Sequence, residues 1–80
     1  MMVTVRLFAS YAESIGKSEV SLDVGSGSTV ADVVKAIAEL AGGDRLPPSP
    51  LVAVNRTYAK GTTLIFDGDE IAIIPPVAGG

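Results

Sequence analysis

The sequence predicts an α+β fold in which a small sheet carries one main helix on one of its faces. Three observations predict it. Met2 to Ala9 and Glu19 to Val24 alternate apolar and polar residues, the period of a half-buried strand. From Val30 onward, Val33, Val34, Ile37, Leu40 and Ala41 recur at helical spacing and form one continuous apolar stripe. Beyond Pro50 the chain returns to short apolar runs separated by turn residues, and one amphipathic helix among such strands is an α+β arrangement.

Each element has its own local justification. In the opening strand Val3, Val5 and Leu7 share one face, while Thr4, Arg6 and Phe8 share the other. Ala9 to Ile15 lacks strand alternation and ends at Gly16, which predicts a short helix with Tyr11, Ala12 and Ile15 inward. In the second strand Val20, Leu22 and Val24 face the core. Gly25-Ser26-Gly27-Ser28 is a connector: it has no lysine and none of the spacing of a phosphate-binding loop. Thr29 with Asp32 three residues on forms a capping box for the main helix, and Asp32 also sits at the positive end of the helix dipole. Gly42-Gly43 is expected to close that helix.

The region from Asp44 to Pro50, with three prolines, is a loop. Leu51 to Val54 is apolar enough for a strand close to the sheet centre, followed by a turn at Asn55-Arg56. Tyr58 and Ala59 begin another extended piece, Lys60-Gly61 turns it, and Leu64 and Phe66 are expected to supply further core. Asp67-Gly68 turns the chain into a last strand from Ile71 to Ile74. Asp67, Asp69 and Glu70 are read as solvated acids of that turn; no further ligand cluster and no EF-hand spacing accompanies them, so no metal site is expected.

Composition limits the functions available. The chain has 80 residues, enough for one domain with a small core, and 48% hydrophobic against 19% charged residues sets it apart from disordered sequences. Without cysteine there is no disulfide, thiolate metal site or thiol nucleophile, and without histidine the commonest general base is missing. A net charge of −3 argues against nucleic-acid binding and suits docking onto basic protein partners. No apolar run approaches the roughly 20 residues of a membrane span, and the first residues lack signal-peptide character, so a cytoplasmic location is expected.

The chemistry points instead to the last residues, Pro75-Pro76-Val77-Ala78-Gly79-Gly80. Two prolines remove backbone donors and end sheet pairing, so the domain is expected to span residues 1–74 and a flexible Gly-Gly tail residues 75–80. Glycine lets such an end enter a narrow channel and leaves its carboxylate open. At neutral pH an α-carboxylate is ionised and a poor electrophile, so it must be activated, for instance as a mixed anhydride with AMP, before sulfur can attack it. On the body of the domain, alternation turns Phe8 and Ile74 away from the helix. With Tyr58 they are expected to form an exposed apolar patch suited to docking.

These residues bear a family resemblance. Over essentially its whole length the chain resembles the MoaD-type sulfur carriers, the small subunits of molybdopterin synthase within the ubiquitin-like β-grasp superfamily. The match lies in Phe8-Ala9, Thr29-Val30, Ala53-Val54-Asn55, Asp67-Gly68-Asp69-Glu70-Ile71-Ala72 and the ending Pro75 to Gly80. The resemblance implies a mixed sheet of four to five strands. It implies that Gly80 is adenylated by an E1-like activating enzyme that uses ATP, and that Gly80 then receives sulfur from a donor protein as a thiocarboxylate. The tail, from Pro75 and Pro76 through Val77 and Ala78 to Gly79, would enter the large synthase subunit, and two carriers would flank a dimer of that subunit. Sulfur would pass there to cyclic pyranopterin monophosphate, with no permanently bound cofactor and no catalytic side chain on the carrier. Family members often have an aromatic residue where Ile74 stands, and the 44–50 loop varies. Carriers for thiamine or tRNA thiolation and ubiquitin-like protein modifiers share the same terminal chemistry and stand as alternatives.

Overall fold

The computed structural model describes residues 1–40, 42–43, 46–47 and 50–75. Five strands and two helices follow in the order β1 (Met2–Leu7), α1 (Ala9–Ile15), β2 (Glu19–Asp23), α2 (Val30–Ala38), β3 (Leu51–Val54), β4 (Thr57–Ala59) and β5 (Glu70–Ile74). They form a five-stranded mixed sheet of order β2-β1-β5-β3-β4. The two strands from opposite ends of the described chain, β1 and β5, pair in parallel at its centre, with Val5 opposite Ile71 and Leu7 opposite Ile73. The other three pairings are antiparallel.

Alternation sorts the two faces of this sheet as expected. Val3, Val5 and Leu7 from β1, Val52 from β3, and Ile71 and Ile73 from β5 are buried against Val30, Val33, Val34 and Ile37 of α2. Burying a side chain of this size contributes about 1.5–3 kcal/mol, so the central strands and α2 dominate the stability of a domain this small. Tyr11 of α1 joins the same core, with Ala12 and Ile15 half-buried beside it. The capping box is formed: the Asp32 backbone N–H donates to the Thr29 hydroxyl, and Thr29 N–H donates to the Asp32 carboxylate at 2.9 Å. The arrangement is the ubiquitin-like β-grasp, with one main helix against one face.

Two expectations need correction. Leu64 and Phe66 are not core residues; they are 53% and 65% exposed, and Ile65 between them is buried. Alternation fixes which residues share a face but not which face is inside. The choice is made here by main-chain bonds at the start of α2. Val30 N–H donates to Thr63 O and Ile65 N–H to Ser28 O, a register that turns Ile65 under the helix. Second, α2 ends at Ala38, with Glu39 as its C-cap, four residues before Gly42. Gly42-Gly43 serves a close approach rather than the helix stop. Gly42 has φ 84, and a Cβ on it would collide with the Ser14 carbonyl of α1, while one on Gly43 would collide with the Ile37 carbonyl. Ala41 of the apolar stripe and Asp44, Arg45, Pro48 and Ser49 of the proline-rich loop lie outside the described residues.

Candidate functional site

The face of the sheet away from α2 is where the sequence-predicted surface residues come together. Its floor is small: Ala53 of β3 lies opposite Ala72 of β5 and opposite Tyr58 of β4. Bulkier groups stand round that floor, and the result is an open cavity of 440 Å³ with Phe8, Tyr58 and Ile74 all on its lining. Phe8 is 44% and Tyr58 71% exposed, and Ile74 is half-buried. The expected patch is thus present as geometry, assembled from three separate stretches of chain by the parallel β1–β5 pair and the β3–β4 hairpin.

A one-residue change of direction sets Phe8 outward. Phe8 has extended backbone, φ −128 and ψ 153, whereas Ala9, the first residue of α1, has φ 47. The chain therefore leaves β1 and enters a helix within a single corner, and Phe8 stays on the strand's outer face.

The sheet also fixes where the chain leaves. Pairing ends at Ile74, opposite Leu51, and Pro75 follows with no N–H to continue the ladder. Because β5 runs parallel to β1, its last residues emerge at the edge where β1 ends, next to Phe8. The exit and the cavity are therefore continuous. Pro76, Val77, Ala78, Gly79 and Gly80, the remaining tail residues singled out from the sequence, lie outside the described residues.

A model of the ThiS family matches residues 5–80. The chain belongs to the ThiS family. Among its relatives, the molybdopterin synthase sulfur carrier subunit of Chlamydomonas reinhardtii is 32% identical over 83 residues, with both chains covered completely. Small archaeal modifier protein 3 of Haloferax volcanii is 33% identical over 92 residues, again with complete coverage of both. Among solved structures, SAMP1 from Haloferax volcanii superposes with a TM-score of 0.86 at 30% identity over all of both chains. A complex of subunits 1 and 2 of the molybdopterin-converting factor from Helicobacter pylori contains a chain with a TM-score of 0.72 at 26% identity, also with full coverage of both.

Within this ThiS-family chain the acidic turn has a structural role that sequence reading missed. Asp67 accepts a hydrogen bond from Met2 N–H at 2.8 Å, and Gly68 N–H donates to Met2 O, so the turn is fastened to the start of β1. Asp69 accepts from Phe66 N–H at 2.8 Å and from the Asn55 side-chain amide at 2.9 Å. Asn55 in turn accepts from Glu70 N–H at 3.0 Å and donates its own N–H to Glu70 O. The Asp67-Gly68-Asp69-Glu70 run therefore ties the β3–β4 turn to the beginning of β5. The available signal was the pairing of an asparagine in one turn with an Asx-rich turn elsewhere, which no local pattern connects.

Charge on this face differs from that of the chain as a whole. The ionisable residues lining the cavity are two arginines, Arg6 and Arg56, and one glutamate, Glu70, whereas the chain carries a net −3. An acidic docking surface is thus not what the cavity presents. Arg6 faces outward because β1 alternates, and it meets Glu70 at 3.8 Å in a half-exposed pair that contributes little. No helix among the described residues is long and apolar enough to cross a membrane.

Proposed function

We propose that this chain is a sulfur carrier of molybdenum-cofactor biosynthesis, the small subunit of a molybdopterin synthase, working in the cytoplasm. The observation that carries the reading is the full-length match to a protein named molybdopterin synthase sulfur carrier subunit, at 32% identity. The cavity beside the chain exit supports it, since a carrier needs a place to dock next to the end it delivers. In this reading the Gly80 carboxylate attacks the α-phosphorus of ATP on an E1-like enzyme and releases pyrophosphate, and sulfide released by a donor protein then displaces AMP and leaves its sulfur on the carbonyl. The resulting thiocarboxylate enters the large subunit and gives its sulfur to cyclic pyranopterin monophosphate. The carrier supplies no catalytic side chain, and ATP is used only by the activating enzyme.

Intact mass spectrometry tests the chemistry. Incubation with the activating enzyme, ATP and a sulfur source is expected to exchange one oxygen for one sulfur, with the change confined to a C-terminal fragment containing Gly80. A mass unchanged under conditions that load an authentic carrier would end the proposal. Docking is tested separately. Phe8→Asp or Ile74→Asp places a charge in the apolar part of the cavity and is expected to weaken binding to the large subunit by about 2 kcal/mol or more, on the scale of a hot-spot residue. Titration calorimetry showing unchanged affinity would remove that residue from the interface.

A second reading is favoured by the 33% identity to small archaeal modifier protein 3. As a ubiquitin-like modifier the chain would use the same activated Gly80 against a lysine amine. An isopeptide between Gly80 and another protein, recovered from cells by peptide sequencing, is the outcome peculiar to this reading.

A further inference from the structure

Three non-glycine residues among those described have positive φ: Ala9 at 47, Asn55 at 49 and Arg56 at 72. All three adjoin the outer-face cavity, Ala9 by setting the corner after Phe8 and the other two as the β3–β4 turn. Two-residue hairpin turns with positive φ at both positions favour asparagine followed by glycine, because a Cβ in the left-handed region is strained. Asn55 fits that rule, while Arg56 stands where glycine would be easiest. Strained residues held in place by their surroundings cluster at functional sites, and the hydrogen bonds that Asn55 donates to Asp69 and accepts from Glu70 N–H supply that hold.

Arg56 is also chemically unspent. It is exposed, and neither ion pair formed by described residues involves it. The cavity's one carboxylate, Glu70, is turned to Arg6. A guanidinium presents a planar fork of donors that matches a carboxylate in a bidentate geometry. With two arginines against one glutamate, the cavity is cationic on a chain of net −3, so the complement of this patch is acidic and differs from the complement of the whole chain.

We infer that Arg56 is a specificity-determining arm of the docking face: the partner protein sets an apolar side chain on the Ala53–Ala72 floor and a carboxylate against the Arg56 guanidinium. The inference rests on the reading of this face as the docking surface for the large synthase subunit. A nucleic-acid occupant is disfavoured by Glu70 on the lining and by the net negative charge.

The test is calorimetric titration of the full chain against the purified large subunit at several salt concentrations, alongside thermal melting. Arg56→Gly is expected to melt at the same or a higher temperature, since glycine suits the turn, yet to bind roughly tenfold more weakly and with a shallower salt dependence. Arg56→Lys should recover part of the affinity, and Arg56→Glu should lose more than Arg56→Gly. If Arg56→Gly and Arg56→Glu bind as the parent does while Phe8→Asp weakens binding, this inference is wrong and the docking face stands. If Phe8→Asp and Ile74→Asp also bind normally, the docking reading itself fails and takes the inference with it.

Discussion

Deleting Gly80 is expected to abolish sulfur loading and to leave the melting temperature unchanged. The loss would not come from removing the only carboxylate, because the shortened chain ends in Gly79 and has an α-carboxylate of the same acidity. It would come from reach. One residue of extended chain spans about 3.3–3.6 Å, so the shortened end stops that far from the phosphorus it must attack. Misplacing a reacting atom by even 1 Å can cost on the order of 100-fold, and a whole residue is several times that displacement. Stability should not follow, because among the described residues the buried core runs from Val3 to Ile73, and a glycine has no side chain to add to it. Intact mass after incubation with the activating enzyme reads the first part, and a thermal melt reads the second. Normal loading of the shortened chain would show that the activating site does not measure the length of the tail. A lowered melting temperature would show that the end contributes to the fold.

What could be read in advance depended on whether the deciding interaction was local. The α2 helix was legible because Thr29, Asp32 and the stripe from Val30 to Ile37 lie within one continuous segment, and the capping box and buried face follow from their spacing. The outward position of Phe8 and Ile74 was legible for the same reason, since strand alternation is a rule of neighbours. Leu64 and Phe66 were misassigned because two phases of one alternating segment are equally good locally, and the selection is made by hydrogen bonds to residues 28 and 30. The grip of Asp69 on Asn55 spans 14 positions in sequence and exists only once β3 and β5 are paired. Arg56 shows the limit most clearly. A turn at Asn55-Arg56 was expected, but its positive φ and its place on the cavity rim follow from the hairpin twist and the strand order. Strand order itself, with β1 and β5 side by side, leaves no periodic trace, and the family resemblance implied only a mixed sheet of four to five strands.

Ile37→Asp is expected to leave the domain unfolded at room temperature. Ile37 is fully buried on the inward face of α2, in its last turn. Replacing it removes about 1.5–3 kcal/mol of apolar burial, and an aspartate there must either ionise without a partner or bind a proton to become neutral. Either course adds a desolvation cost of several kcal/mol, because apart from Tyr11 the surrounding core residues are valine, leucine and isoleucine side chains, which offer no hydrogen bond. A domain of this size has a total stability of about 4–12 kcal/mol by the usual per-residue scale, so the two terms together are comparable with it. Circular dichroism should show loss of the cooperative melt. Ala31→Asp is the control: it introduces the same residue six positions earlier on an exposed position of the same helix, near the positive end of the dipole, and should fold normally. A cooperative transition near the parent temperature for Ile37→Asp would mean that α2 presents a different side to the sheet. Phe8, Tyr58 and Ile74 would then have no reason to share the open face, because their outward position is defined by what α2 covers.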